Sequence, residues 1–478
     1  MGKSQIIDRK RIKSIIMILI SNGITLLAGI MTGFIVPKMM SITDYGYYKI
    51  FNLYFGYLPV LHFGLSTGIY LLYGDKSYDE LNRDHFRFYF RLLVASQLLI
   101  STLFILMSCF LGRNEYIYII WSLAVVLVAS NITNYFQLIS QVTERYKEYS
   151  VRNIIQSVLS ILVIGVLFWK SIHYHNEVKC WEYLCCIILI QIVLAGWYIW
   201  TYRDIVFGKI SNRPSKQLVL NIYKKGFILI IAGLVALLIL NIDRQFVSLL
   251  YSTEEYAIYA FAYSIITLMT TFINAISTII YPSIKREKEE YLHLVYEKFI
   301  SVMIIISSLL ISSSFVLDII IKWALPKYLD SLQYLYIITP TLIISSLINV
   351  VIHNYYKTLN IENYFFIISV LILIQSSLAN YIAYRFVGTM ASISIASVFC
   401  MICWYIYTQL FLRRIFKFKY VKSSLYMVLV FAIFYLIYHF EGRNMIGLTI
   451  YLSAWILLSV GFFPRYFKEL LTMVLNRT

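Results

Sequence analysis

The stretch SITDYGYY at residues 41–48 separates two long apolar runs, and it returns in altered form as STEEYAIY at 252–259. The two stretches are 211 residues apart. The same offset, without a gap, pairs SQLLISTLF at 96–104 with SSLLISSSF at 307–315, which are identical at six of nine positions. One offset that holds over more than 60 residues indicates that the chain contains two copies of one unit.

The composition predicts that both copies lie in a membrane. Of the 478 residues, 60% are hydrophobic and 14% are charged, with a mean hydropathy of +0.74. A bilayer core about 30 Å thick requires about 20 apolar residues for each helical crossing. We therefore expect an all-α polytopic membrane protein with about 14 transmembrane helices. The predicted segments are 14–37, 50–73, 92–112, 116–143, 153–169, 183–202, 226–242, 256–284, 299–317, 331–356, 363–384, 386–412, 423–440 and 444–464.

Twelve of these helices divide between the two copies, so each copy is a lobe of six helices. Because six is an even number, each lobe begins and ends on the same side, and the lobes are parallel repeats. We expect an N-lobe at 1–207, a cytoplasmic linker at 208–217, a C-lobe at 218–415, and an extra helix pair with a cytoplasmic tail at 416–478. Two parallel lobes joined by a polar linker are typical of an alternating-access transporter.

The distribution of basic residues predicts the orientation in the membrane. With sides alternating along the chain, 31 of the 41 Lys and Arg residues fall on one side and 8 on the other. The positive-inside rule then places both termini and the linker in the cytoplasm. Basic helix ends facing acidic lipid explain the net charge of +17, so we expect membrane lipids and no nucleic acid as partners. The first helix has no small-residue cleavage site after it, and we expect it to be retained.

Asp243 and Arg244 interrupt the seventh predicted helix, which is otherwise uncharged. A charge inside a helix costs roughly 2.5–3.5 kcal/mol on membrane-insertion scales, so such residues usually have a purpose. One interpretation is a substrate-binding site, in which the planar guanidinium of Arg244 binds two phosphate oxygens. The other interpretation is a local ion pair between the two neighbours, or snorkelling of the charged groups to the membrane surface. Both interpretations stay open at this point.

Further candidates for substrate binding lie near helix ends. Arg87 and Arg91, like His353 and Lys357, are spaced i, i+4, so each pair presents two cationic or titratable groups on one helical face. Lys49 begins the second predicted helix. All five side chains are equally suited to anchor helix ends in the headgroup region.

One histidine inside a predicted helix is a candidate for ion coupling. His62 follows Pro59 by three residues, and a proline has no N–H, so it loosens the helix and frees a carbonyl nearby. Buried histidines usually serve as hydrogen-bonding groups, and coupling is the alternative role. Pro340 predicts a comparable break in the tenth helix.

Short motifs occur at fixed places in this helix pattern. They are a glycine-bearing first helix (Asn22, Gly23, Gly29, Gly33), Asp44-Tyr45-Gly46-x-Tyr48, Gly64-Leu65, Arg145-x-Lys147, and Asp243-Arg244 followed by Tyr256-Ala257-x-Tyr259. With the helix count, they resemble the polysaccharide flippases of the multidrug/oligosaccharidyl-lipid/polysaccharide exporter superfamily. By this resemblance, SITDYGYY is the first outward turn and STEEYAIY its counterpart. Ala257 stands where that family has glycine, so we expect a less sharp turn there.

The resemblance implies a function. Proteins of that family move undecaprenyl-diphosphate-linked oligosaccharide repeat units across the bacterial cytoplasmic (inner) membrane for O-antigen, capsule or related polymers. It therefore implies a lipid-linked oligosaccharide as substrate, alternating access around a cationic cavity, and the polysaccharide polymerase machinery as a further partner. The last two helices, by the same resemblance, form a groove for the lipid tail.

Two other classes of protein stay open. A multidrug antiporter of the same superfamily would share the two lobes, but we would expect twelve helices and acidic residues in the N-lobe spans. A membrane glycosyltransferase or polymerase would need catalytic carboxylates or a large outward loop, and the longest such loop, 170–182, is short. The sequence has no phosphate-binding loop and no cysteine–histidine spacing typical of zinc, so we expect no enzyme, no cofactor and no metal site.

Overall fold

The computed structural model describes residues 9–74, 76–110, 114–285, 291–416, 421–440 and 444–475. Nearly all of these residues are helical, and no β-strand occurs among them. The α-helices are α1 (Arg9–Met39), α2 (Ile42–Phe55), α3 (Leu65–Leu72), α4 (Arg83–Ser108), α5 (Asn114–Val142), α6 (Tyr146–Tyr174), α7 (Cys180–Thr201), α8 (Arg203–Val206), α9 (Lys216–Ile239), α10 (Ile242–Leu250), α11 (Thr253–Lys285), α12 (Leu292–Ile311), α13 (Ser313–Ala324), α14 (Ser331–Ile338), α15 (Thr341–Ser346), α16 (His353–Thr358), α17 (Glu362–Phe386), α18 (Met390–Phe416), α19 (Val421–Phe440), α20 (Met445–Phe462) and α21 (Pro464–Leu475).

The helices confirm the predicted all-α polytopic fold. Within the described residues, 11 helices are long and apolar enough to cross a membrane, and two bent helix pairs raise the number to 13. The remaining predicted segment, 256–284, coincides with the 33-residue helix α11.

The stretch SITDYGYY at residues 41–48 forms the start of the helix α2. Ser41 is the N-cap of α2, its hydroxyl accepts a hydrogen bond from the Asp44 backbone N–H at 3.0 Å, and it donates to the Asp44 carboxylate at 2.7 Å. Ser252 and Glu255 repeat this arrangement at the start of α11, where the Glu255 carboxylate also accepts from the Ser252 backbone N–H at 2.9 Å. Both helices therefore start at equivalent positions of the repeat with a serine cap, and at α11 the capping is reciprocal.

This result corrects two expectations. SITDYGYY is not a turn between helices, because capping by Ser41 starts α2 eight residues before the predicted boundary at 50. Ala257 likewise lies inside α11 and is fully buried, so the expectation of a less sharp turn at that position is wrong. The tyrosines that the repeat aligns face the interior, since Tyr45, Tyr48, Tyr256 and Tyr259 are at most 4% exposed.

Two predicted proline breaks are confirmed. The second span bends by 55° between Ile42–His62 and Leu65–Leu72, with a short 3₁₀ helix, Leu58–His62, that starts next to Pro59. The tenth span bends by 48° between Ser331–Ile338 and Thr341–Thr358, at Pro340. It also contains one π-helical segment, Leu347–Ile352.

The contacts divide the chain into two units, Met1–Leu237 and Leu238–Thr478. In the first unit α5 is central and contacts α2, α3, α4, α6 and α7. In the second unit the bent tenth span has the corresponding place, because its parts contact α11, α12, α17 and α18. The contacts group residues 218–237 with the first unit. The lobe boundaries that the sequence repeat suggests, 207 and 218, stay a prediction.

The extra helix pair α19–α20 packs on α12 and α13 through a cluster around Ser308. The Ser308 hydroxyl lies 3.1 Å from the Tyr426 hydroxyl and accepts a hydrogen bond from the Trp455 indole at 3.1 Å. The Tyr451 hydroxyl donates to the Ser308 carbonyl at 2.8 Å. Ser308 belongs to SSLLISSSF, so this repeated segment provides the contact surface for the pair.

Candidate functional site

The two charged residues of the seventh span lie in a separate short helix. α9 ends at Ile239, and α10 begins at Ile242. α10 has nine residues, which corresponds to about 13 Å at 1.5 Å per residue, and it contacts α11, α17 and α18. Asp243 lies in its first turn, where a negative charge is favoured because the N-terminal backbone N–H groups point towards it.

The carboxylate of Asp243 is held by tyrosine hydroxyls from α11. It is 2% exposed and accepts hydrogen bonds from Tyr259 at 2.9 Å, from Tyr263, and from the Arg244 backbone N–H at 2.8 Å. Ser394 of α18 donates in turn to the Tyr259 hydroxyl at 3.2 Å. A buried carboxylate with several donors is stably accommodated in an apolar environment.

The guanidinium of Arg244 points to other partners. Its Nη2 donates to the Leu240 carbonyl at 2.8 Å, across the break between α9 and α10, and its plane lies 4.8 Å from the centre of the Tyr263 ring. Its Nε is buried and has no hydrogen-bond partner among the described residues. No ion pair with the Asp243 carboxylate occurs in the part of the chain that the structure describes.

This geometry separates the roles of the two neighbours. Asp243 accepts its hydrogen bonds from Tyr259, Tyr263 and the Arg244 backbone, while the nearby Arg244 guanidinium donates to the Leu240 carbonyl. Arg244 is half-buried and has five N–H donors, of which one donates to the Leu240 carbonyl and another, on Nε, has no acceptor among the described residues. The arrangement is therefore suited to bind an anion with oxygen acceptors in a partly desolvated place.

Arg87 and Arg91, both at the start of α4, contact the linker. Arg87 donates to the Asp204 carbonyl at 2.9 Å and the Lys209 carbonyl at 3.1 Å, and Arg91 donates to the Gly208 carbonyl at 2.6 Å. Arg87 also pairs with Asp84 at 2.7 Å. Both arginines therefore hold backbone carbonyls, and a contact with substrate stays a prediction for them.

Arg145, from the motif after the fourth helix, stacks on tyrosines. Its guanidinium lies 3.7 Å from the centre of the Tyr78 ring and pairs with Glu148 at 3.3 Å. The Tyr78 hydroxyl donates to Asp204 at 2.8 Å, and burial together with this hydrogen bond raises the pKa of Tyr78 well above its usual range. Arg145 thus joins the loop before α4 to the region of α8.

The remaining candidates lie apart from Arg244 in the sequence and have local contacts. Lys49 lies 5.1 Å from the centre of the Tyr45 ring. His62 is buried, and its Nδ1 accepts a hydrogen bond from the Gly64 backbone N–H at 3.1 Å. His353 stacks on Phe365 with ring centres 4.6 Å apart, and Lys357 is half-exposed.

The two units each contain four of the predicted site residues. Lys49, His62, Arg87 and Arg91 belong to the first unit, and Asp243, Arg244, His353 and Lys357 belong to the second.

Several polar residues that sequence reasoning missed shape these sites. Tyr263 follows Tyr259 by one helical turn, and this i, i+4 spacing was a usable signal. In the first unit, Gln97 donates to the Leu61 carbonyl at 3.1 Å and Asn131 donates to the Leu58 carbonyl at 3.1 Å. These amides satisfy carbonyls that the bend of the second span leaves without helical partners.

The described apolar helices and the two broken spans define a multi-pass membrane protein. The chain belongs to the polysaccharide biosynthesis protein family, whose model matches residues 12–288. This places it in the multidrug/oligosaccharidyl-lipid/polysaccharide exporter superfamily of flippases and transporters, as its sequence motifs predict. No curated protein sequence matches the chain.

Solved structures of the same superfamily are similar in fold. The lipid II flippase MurJ, in an inward closed conformation, aligns with a TM-score of 0.65 at 15% identity over 95% of this chain and 99% of that chain. An inward-facing multidrug resistance MATE transporter aligns with a TM-score of 0.59 at 15% identity over 84% and 99%. A superfamily transporter from Pyrococcus furiosus aligns with a TM-score of 0.55 at 13% identity over 83% and 95%. At these identities the similarity shows the fold alone.

Proposed function

We propose that the protein is a flippase for undecaprenyl-diphosphate-linked oligosaccharide repeat units, used in the synthesis of a surface polysaccharide such as O-antigen or capsule. It works in the bacterial cytoplasmic membrane by alternating access, with both termini in the cytoplasm. Membership of the polysaccharide biosynthesis protein family and the fold shared with a lipid II flippase support a lipid-linked substrate. We propose no catalytic reaction and no cofactor.

The observation that carries the proposal is the partial burial and the hydrogen bonding of the Arg244 guanidinium. Its guanidinium is half-buried in the short helix α10 and lies against the Tyr263 ring, and its Nε has no hydrogen-bond partner among the described residues. A diphosphate offers pairs of oxygens that match the planar fork of an arginine. In our proposal the diphosphate of the substrate binds here, and the partly desolvated surroundings strengthen this interaction.

The neighbouring carboxylate argues for an anion rather than an organic cation. A multidrug antiporter needs an acidic side chain that is free to bind a cationic drug. Asp243 is 2% exposed and already accepts hydrogen bonds from Tyr259 and Tyr263. A cation would have to replace these donors, whereas an anion can accept from the Arg244 Nε, which has no acceptor within the part of the chain that the structure describes.

The extra pair α19–α20 has a proposed role in holding the lipid tail. Its inner side is fixed to α12 through Tyr426 and Trp455. Its other side exposes large apolar side chains, including Val428, Leu436 and Leu457. Such a surface matches an acyl or prenyl chain, although it equally suits bulk lipid, and the truncation described in the Discussion separates these roles.

Deletion of the gene tests the proposed function. A flippase deletion should cause accumulation of lipid-linked oligosaccharide intermediates, which mass spectrometry of extracted lipids would detect. Complementation with the wild-type gene, but not with an Arg244→Ala variant of equal abundance, should remove them. Unchanged lipid intermediates together with altered drug sensitivity would overturn the flippase assignment in favour of a multidrug antiporter.

A further inference from the structure

The second and seventh spans cross at a point where their backbones touch. Gly64 and Gly68 lie on the side of α3, and Gly226 lies on α9. A Cβ atom at Gly226 would lie 2.6 Å from the Gly68 nitrogen, and one at Gly68 would lie 2.7 Å from the Ile222 carbonyl carbon. Both distances are below any normal carbon contact, so this α3–α9 crossing admits no side chain at these glycines.

The α3 side of the crossing is a fixed, bent segment. Phe63 and Gly64 have positive φ values of 51° and 92°, in the left-handed region that glycine adopts readily and phenylalanine rarely does. The His62 imidazole binds the Gly64 N–H, and Gln97 binds the Leu61 carbonyl. Side chains from two neighbouring elements therefore hold the bend that presents Gly64 to α9.

The linker before α9 is also fixed. The Asp84 carboxylate accepts hydrogen bonds from the backbone N–H groups of Ser211 and Asn212 at 3.0 and 2.9 Å, and Arg87 and Arg91 bind linker carbonyls. The linker that leads into α9 is thus attached to the start of α4. Any separation of α9 from α3 would have to pivot at this attachment.

The sequence repeat and the contacts place α9 in different halves of the protein, and this difference suggests what the crossing does. By the sequence repeat, α9 begins the second lobe, yet its contacts through residue 237 group it with the first unit. Ile222 is fully buried in a core that includes Leu65 and Ile69 of α3. A helix of one lobe that is docked on the other is expected in only one phase of an alternating-access cycle.

We propose that the α3–α9 crossing is the cytoplasmic gate of the transporter, closed in this structure, and that it opens when α9 leaves the glycines of α3. The proposal rests on the alternating-access function proposed above and on the orientation that the basic residues predict, but not on the identity of the glycan. The absence of side chains at the three glycines allows the contact to close without trapped voids and to open without breaking side-chain packing at that point.

A single cysteine at the crossing can report on the gate. Ile222→Cys is made in a protein whose six native cysteines are replaced, and its reaction with a membrane-permeant maleimide is measured in native membrane vesicles. Adding Gly226→Ala should speed labelling by on the order of tenfold, because one extra methyl group overpacks the closed contact. Gly233→Ala is the matched control: it lies two turns further along α9, and nothing is within 4 Å of its Cβ position.

The outcomes decide the proposal without any sugar substrate. Faster labelling with Gly226→Ala but not with Gly233→Ala supports a gate, and equal rates in the two backgrounds overturn it. If the Gly226→Ala protein does not accumulate, the labelling of the Ile222→Cys protein without a second substitution decides between a gate and a permanent contact. Slow but complete labelling of folded protein supports a contact that opens, and labelling only after denaturation shows a permanent core. The labelling assay uses no glycan, so its result does not depend on the flippase function. If the crossing opens but deletion of the gene leaves the lipid-linked intermediates unchanged, the flippase function is refuted and the gate proposal stands.

Discussion

Replacement of Arg244 separates substrate binding from structural support. Arg244→Ala removes one hydrogen bond to Leu240, worth about 1 kcal/mol, and a ring contact with Tyr263, worth about 0.5–2 kcal/mol. Removing the charge favours membrane insertion by roughly 2.5–3.5 kcal/mol. These contributions nearly cancel, and Asp243 keeps its tyrosine donors. We therefore expect the variant to reach normal abundance in the membrane.

Transport should behave differently from abundance. Loss of a charge-assisted hydrogen bond costs about 1.5–3 kcal/mol, which corresponds to roughly 10- to 200-fold weaker binding of the diphosphate. Arg244→Lys should retain part of the activity, because it keeps the charge and loses the planar fork. The assay measures polysaccharide complementation and accumulated lipid intermediates alongside membrane abundance, with Arg385→Ala, an exposed arginine at the end of α17, as control.

Two results would refute this reasoning. One is a fully active variant that combines Arg244→Ala with Asp243→Asn, which would remove Arg244 from the site. The other is low abundance of Arg244→Ala that the same double substitution restores, which would show that the two charges form an ion pair after all. Asp243→Leu provides the contrast, because it leaves the hydroxyls of Tyr259 and Tyr263 without their acceptor and should itself reduce abundance.

Three further predictions concern the extra helix pair, the bend of the second span, and the topology. Deletion of residues 423–478 should leave an inserted protein with impaired transport, since Ser308 then loses its partners on α19 and α20; full complementation by the truncated chain would contradict a role for the pair. Gln97→Leu should lower the free energy of unfolding by about 1–3 kcal/mol, because the partly buried Leu61 carbonyl and the Asn131 amide lose a partner, and Tm in detergent should fall by several degrees, while Thr102→Ala, at an exposed position of the same helix, changes it little. Reporter fusions at Lys209 and Lys327 should give cytoplasmic and outward signals respectively, and a reversed pair would show that a span has been miscounted.

The sequence predicted the features that depend on local composition. Long apolar runs identified the spans, and Pro59 and Pro340 marked the two bends, because a proline lacks the N–H of a helical hydrogen bond and weakens the helix at that point. Pro37, by contrast, lies inside α1. The start of α2 was mispredicted for an equally local reason. Polar residues and Gly46 suggested a turn, although Ser41 and Asp44 have the spacing of a helix cap.

The candidate site depended on tertiary contacts that no local pattern contains. Asp243 and Arg244 were identified from their charge, but their partners come from other helices or from Leu240, which lies between α9 and α10. The rotation of α11 about its axis decides that Tyr263 reaches Asp243. Gly226 likewise had no distinguishing neighbours in the sequence, because its role arises only where α9 meets α3.

The cluster around Ser308 also sets an order for synthesis of the protein. Ser308 leaves the ribosome about 150 residues before Tyr451 and Trp455, a delay of roughly 10 to 30 seconds at ordinary translation rates. During that interval the polar patch on α12 lacks the partners that it has in the finished chain. Insertion of α19 and α20 then supplies these partners, and a ribosome that stalls before this step would release a polypeptide with these polar groups open to lipid.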